Sequence, residues 1–309
     1  MFLSKSHFIF ISLFLSSALL NAQELFPINE PASTIPKGVV GIRAATHFHY
    51  KKAGHREMIR IMYGLTPKIT TMFTALYSNF HTKNFPEDLN SYYKVYHNHN
   101  ASQVNYPYSF EGIHLLTKWR FLSLDHKNEH LRFALLNELS YSNSTHIDGF
   151  PSLMGDNSGC SLGLITTKLY KKLSVSVTSL YTYFLSHYER ETTEKVKFKA
   201  GNSADINLSI GYLLWPRKYK SYKDLNINLY VEVLDKYYSD TNIRRNNIYI
   251  NTDQFQYLKG GNIIYICPGI QFIINSKTRI DFVTQESLYH SNKIRQYSMM
   301  RLNLQRYLF

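Results

Sequence analysis

The sequence predicts an all-β protein, a single closed antiparallel transmembrane β-barrel of about twelve strands. Three observations carry this: an export signal at the start, repeated period-2 alternation over segments of about ten residues, and connections that are short and long by turns. Ten residues is what a tilted strand needs to cross a bilayer, and alternation gives it one apolar and one polar face.

The opening "MFLSKSHFIFISLFLSSALLNAQ" has a short start with Lys5, an apolar run from Phe8 to Leu20 and a small residue, Ala22, before Gln23. That is the layout of a secretory signal peptide, residues 1–22, removed after Ala22. The run is too short for a comfortable membrane span. No composition shift divides the remaining chain. It is read as a periplasmic N-terminal leader, 23–38, followed by a barrel, 39–309.

Composition agrees: aromatics are 15% of the chain, and the 14 Gly and 9 Pro leave long runs uninterrupted. The only long apolar run is the export signal, which excludes a helical membrane protein. Cys160 and Cys267 are too far apart in sequence for a metal-ligand motif, and the strands assigned to them are not neighbours, so they are expected to stay reduced.

Strands are expected near 39–50, 56–64, 69–80, 110–121, 130–141, 159–170, 173–185, 204–215, 224–235, 262–274, 278–289 and 295–309. In "VVGIRAATHFHY", Val40, Ile42, Ala44 and Phe48 oppose Arg43, His47 and His49; in "EGIHLLTKWRF", Ile113, Leu115 and Trp119 oppose His114, Lys118 and Arg120. "LTPK", "YKK" and "NSK" read as tight turns at one end. The polar stretches 81–109, 142–158, 186–203 and 236–261 read as long loops at the other, which puts them outside the cell. "SLDHKNEH" and "PRKYKSYKD" are long for the short-turn end.

The chain stops inside a strand, on "SMMRLNLQRYLF". Tyr307 and Phe309 resemble the C-terminal assembly signal of bacterial outer-membrane barrels. Phe309 has the opposite parity to Met300, Leu302 and Leu304, so a bulge near Arg306 is expected.

"YGLTPKIT" (Tyr63 to Thr70) resembles the strand-turn-strand signature of barrels grouped with the meta-pathway phenol-degradation transporters. "EPASTIPKG", "MGDNSG", "YLLWPRKYKSY" and "PGIQFIINSKTRIDF" resemble an outer-membrane barrel group of Bacteroidetes type. The resemblance implies an outer-membrane protein, with transport as its activity, and carries over no catalytic residue.

The formal charge of +13 would ordinarily suggest nucleic acid, which an exported barrel does not meet. The basic residues recur instead on the polar strand faces. Arg43, Arg60, His114, Lys118, Arg120, Arg132, Glu138, Glu232, Arg279, Asp281 and Arg301 are expected to line the lumen, as a salt-bridged filling or as an anion-preferring pore. His47, His49, His97 and His99 are weak metal candidates without a flanking carboxylate or Cys, and solvated histidines fit them better. The Asp156 stretch lacks the further ligands of a calcium loop. Ser291 follows His290, but strand neighbours point to opposite faces, so no nucleophile–base pair forms and no enzyme is expected.

No cofactor is expected. The expected partners are outer-membrane lipid, the barrel-assembly machinery and a small solute, with no nucleic acid; the expected location is the outer membrane. Passive passage of a small solute is the leading expectation. A receptor, adhesin or structural barrel acting through its outer loops is the alternative.

Overall fold

The computed structural model describes residues 26–49, 55–79, 108–142, 153, 157–190, 195–218, 221, 223–251, 258–291 and 298–308. Twelve strands form a closed antiparallel barrel. They are β1 (Val40–His49), β2 (His55–Thr66), β3 (Ile69–Ser78), β4 (Ser109–His126), β5 (Glu129–Ser142), β6 (Gly159–Tyr170), β7 (Leu173–Phe184), β10 (Ser203–Trp215), β11 (Asn226–Tyr238), β14 (Gly261–Ile274), β15 (Thr278–His290) and β16 (Met299–Leu308). Each pairs with its neighbours in chain order, and β16 returns to β1. Every expected strand has its counterpart.

Closure is made by ten unbroken pairs, from Val40 opposite Leu308 to His49 opposite Met299. An open edge in lipid would leave backbone groups without partners, each costing several kcal/mol. The bulge expected near Arg306 is absent. Asn303, Gln305 and Tyr307 are buried while Leu302, Leu304 and Leu308 are exposed, so alternation runs on to the last described residue. Tyr307 is an inward residue packed across Gly41, where an added Cβ would lie 3.0 Å from its ring. Tyr307 thus shares the inward parity of Asn303 and Gln305. Phe309 lies outside the described residues.

The outward faces carry Ile59, Phe73, Leu139, Leu162, Ile206 and Leu304, all more than 40% exposed. An apolar surface this continuous has no place in water. It is bordered by rings at both ends: Tyr77, Tyr141, Tyr181 and Tyr183 towards the long loops, and Tyr63, Trp119, Tyr170 and Trp215 towards the short turns. Two aromatic girdles flanking an apolar band are the exterior of a transmembrane barrel.

The short turns include Pro67–Lys68 and Lys171–Lys172. "SLDHKNEH" is not a long link: β4 and β5 continue through it, pairing Ser123 with Arg132 and His126 with Glu129 around a two-residue turn. At the other end, two stretches expected to be polar loops hold a second sheet. It consists of β8 (His187–Arg190), β9 (Lys195–Lys199), β12 (Asn242–Arg245) and β13 (Ile248–Tyr249), in the order β13-β12-β9-β8. Asn246 and Asn247 have φ of 49° and 66°, the left-handed pair that a two-residue hairpin turn requires. These strands of two to five residues are too short for alternation to stand out. Cys160 faces outwards on β6 and Cys267 is buried on β14; both are free thiols.

Candidate functional site: the filled lumen

Residues 26–38, the described part of the segment 23–38 expected to be a periplasmic leader, run inside the barrel. No regular structure forms there, so its backbone groups need partners from the wall, and the inward side chains supply them. Ile28 and Asn29 donate their amides to the Glu232 carboxylate at 2.8 and 2.9 Å. Ala32 donates to Thr167 Oγ1 and Ile35 to Thr70 Oγ1, both at 2.8 Å. The carbonyls of Phe26, Pro27 and Pro31 accept from Arg279 (2.8 Å), Asn303 (3.4 Å) and Lys118 (2.7 Å). Gly38 donates to the Gly64 carbonyl at 2.8 Å. Wall strands from nearly the whole circumference hold this one strap.

Charge converges on Glu30. Its carboxylate lies 3.3 Å from Arg60, 3.3 Å from Lys118 and 4.0 Å from Arg43. Burial acts to raise its pKa, but Lys118, Arg43, Arg60 and Arg279 together outweigh it and hold the group down at about 2. Beside it, Arg279 pairs with Asp281 at 2.8 Å, and Asp281 also accepts from Gln271 and Asn303. Gln271 in turn accepts from Asn228 and the Tyr230 hydroxyl. The network joins wall side chains to one another and, through Arg279 and Asn303, to the strap, which gives confined charges partners.

Apolar contacts complete the seat. Ala32 and Ile35 pack with inward Met62, Met72, Leu116, Ala134, Leu136, Ile165 and Tyr307. Ile28 packs against a second inward cluster that includes Leu234, Ile263 and Tyr265. The Phe26 ring meets Tyr230 edge-on at 5.7 Å. Between Glu30, Ser33, Arg43, Lys118 and Arg279 the remaining cavity is about 10 Å³, room for about one water. Gly64 is required where the strap enters: an added Cβ would stand 2.1 Å from the Pro36 carbonyl oxygen.

Of the eleven residues expected to line the lumen, Arg43, Arg60, Lys118, Arg132, Glu232 and Arg279 contact the strap directly, Arg132 through the Ser33 hydroxyl at 2.8 Å. Asp281 lies behind Arg279. His114 and Glu138 sit together nearer the long loops, at 3.8 Å. Arg301 donates to Gln285 at 2.7 Å. Arg120 is at the rim, donating to the Pro67 carbonyl at 3.0 Å. The sequence reading missed Glu30, Ser33 and Ile35 of the strap and Thr70 and Thr167 of the wall. The strap's signal was present: "EPASTIPKG", singled out as a motif, is residues 30–38 of it.

Of the histidines, His47 is buried on β1; His97 and His99 lie outside the described residues, and the His49 side chain is not described. Among the described residues no three His, Cys, Asp or Glu side chains converge as a metal site. Ser291 is tied to the backbone of Asn262.

Exterior and interior together define a transmembrane β-barrel whose lumen holds residues 26–38 of its own chain. An outer membrane channel from Pseudomonas putida F1 has the same fold: TM-score 0.60 at 12% identity, over 92% of this chain and 100% of that one. The KdgM porin (TM-score 0.44, 8% identity, 86% and 98% covered) and the NanC porin (0.42, 9%, 87% and 98%) are looser matches that carry no argument. No protein-family profile and no curated protein matches the chain. The comparisons reach outer-membrane barrel channels as a fold. They do not extend to the phenol-degradation or Bacteroidetes-type groups.

Proposed function

We propose that the chain is an outer-membrane channel for a small solute, closed in this conformation by residues 26–38. One observation carries the reading: apart from the Gly38 amide at its barrel end, the strap is held by side chains and ion pairs and, among the described residues, is no strand of the barrel ladder. It can therefore leave while the wall stays intact, since local opening breaks only the contacts of the part that moves. A barrel needed only as a wall has no use for a separable filling with its own buried charge. The apolar belt and both aromatic girdles support the outer membrane as its location, and the channel it resembles in fold is consistent with passage.

Removal of Glu30 with the strap would leave Arg43, Arg60 and Lys118 around the lumen, which favours anions. Organic acids are therefore the first solutes to test. The second sheet beyond the barrel favours the alternative, a barrel that acts on a partner through its outer end. Liposome swelling over sugars, organic acids, aromatics and metal ions separates the two. Swelling with organic acids supports the channel. A folded, inserted barrel that passes none of these solutes with or without its strap supports the partner-binding reading.

A further inference from the structure

The second sheet continues two barrel hairpins past the lipid-facing belt, and its register puts four side chains in one row. Tyr188 stands opposite Lys197, Lys197 opposite Arg244, and Arg244 opposite Tyr249. Directly opposed residues share a face. An aromatic ring, an ammonium, a guanidinium and a second aromatic ring thus cross the sheet in order.

The opposite face is the packed one: Val196, Phe198 and Ile243 are all but fully buried. The row therefore lies on the open face, where Tyr188 and Tyr249 are each about half exposed. Lys199 shares this face with Lys197, two residues along the strand. Its ammonium stands 4.1 Å from the centre of the Tyr183 ring, and Lys197 lies 5.4 Å from that of Tyr188. Tyr183 belongs to the outward aromatic girdle of β7. The open face of the sheet is thus the upward continuation of the lipid-facing wall.

Three cations sit directly beyond the girdle, and the described side chains of this face include no carboxylate. Lysine and arginine stems lie along apolar surface while their heads seek anions, and aromatic rings suit the boundary between acyl chains and headgroups. Each cation near an anionic membrane surface contributes roughly 1 kcal/mol of attraction, or about fivefold in binding. A lipid already anchored in the belt reaches the row without being brought from solution.

We propose that Tyr188, Lys197, Lys199, Arg244 and Tyr249 form a binding site for the phosphorylated headgroup of a lipid in the leaflet at the long-loop end. The cations would hold the phosphates and the two tyrosines would flank the headgroup. The proposal rests on the transmembrane reading of the barrel, not on transport.

The test uses the full barrel in phosphatidylcholine bilayers doped with diphosphoryl lipid A, with retained lipid read by native mass spectrometry after transfer to detergent. Wild type is expected to keep lipid A over phosphatidylcholine. A Lys197→Gln/Lys199→Gln/Arg244→Gln variant should lose retention by about tenfold or more, while Lys197→Arg/Lys199→Arg should keep it. Equal retention by wild type and the glutamine variant, both folded and inserted, would overturn the site. So would displacement of lipid A by inorganic phosphate, which would mark a free-anion site instead. Failure of wild type itself to insert into bilayers would overturn the transmembrane reading and the site with it.

Discussion

The Lys118 ammonium lies 3.3 Å from the Glu30 carboxylate and 2.7 Å from the carbonyl of Pro31, the next residue in the chain. One wall cation thus grips the strap by charge and by backbone. Glu30 answers Arg43 and Arg60 as well, so three buried cations share this one carboxylate.

Glu30→Gln should therefore loosen the strap without unfolding the barrel. Removing one partner of a buried charge cluster costs roughly 3–5 kcal/mol, because the charges left behind have lost both water and counter-ion. Amide hydrogen exchange at Ile28, Asn29, Ala32 and Ile35 should accelerate by at least about a hundredfold, while the β1–β16 ladder keeps its protection. Unchanged exchange at the four amides would show that Glu30 does not hold the strap.

Acid should act late. Because the folded-state pKa of Glu30 is depressed from 4.5 to about 2, its contribution is fully present above 4.5 and is lost as pH falls through about 2. Protection of the strap amides, taken relative to intrinsic exchange at each pH, should hold from neutral pH down to 4.5 and be lost as pH falls towards about 2. Release centred on the ordinary carboxylate range would contradict the charge arrangement.

Gly64→Ala should unseat the strap by sterics alone. Its Cβ would meet backbone oxygens of Pro36 and Ile35 at 2.1 and 2.7 Å, atoms that cannot swing aside as a side chain can. Overpacking of this kind costs about 1–3 kcal/mol. Limited proteolysis should cut the variant within 30–38 while wild type resists. Equal resistance would count against the close packing of strap and turn.

The barrel was legible in the sequence because lipid outside and polar contacts inside force a strict two-residue period, visible from Ile42 and Arg43 through Leu304 and Gln305. Arg43, Arg60, Lys118 and Arg279 were legible as inward charges for the same reason. What they face was not. "EPASTIPKG" has neither helical nor strand period, since its backbone is satisfied by side chains remote in sequence, such as Thr167, 135 residues from Ala32. Met62, Met72 and Leu116 likewise look out of place on a polar face until Ala32 and Ile35 are seated against them.

Closure depends on the last residues. Tyr307 packs over Gly41 and pairs with it across the seam. Tyr307→Ala should cost about 3–5 kcal/mol, as for other buried aromatics, and lower the amount of heat-modifiable, folded barrel. Removing residues 307–309 should leave periplasmic, protease-sensitive chain. Wild-type amounts after that truncation would sink both the seam and the assembly signal.

Orientation is tested by labelling in a Cys160→Ser background, which removes the exposed native thiol. On intact cells, Asn98→Cys, in the stretch 81–109 that the sequence puts outside the cell, should react with an impermeant thiol reagent and Lys277→Cys in a short turn should not. Equal labelling would reverse or abolish the assigned topology.

In the proposed channel, residues 26–38 close a passage that the wall otherwise leaves open. Single-channel conductance of the barrel lacking residues 26–36, recorded in planar bilayers beside wild type, reports on that passage. The deletion should give a steady open state of higher conductance, with a reversal potential showing anion preference from Arg43, Arg60 and Lys118. A folded, inserted deletion barrel with the same conductance as wild type would show that the strap closes nothing.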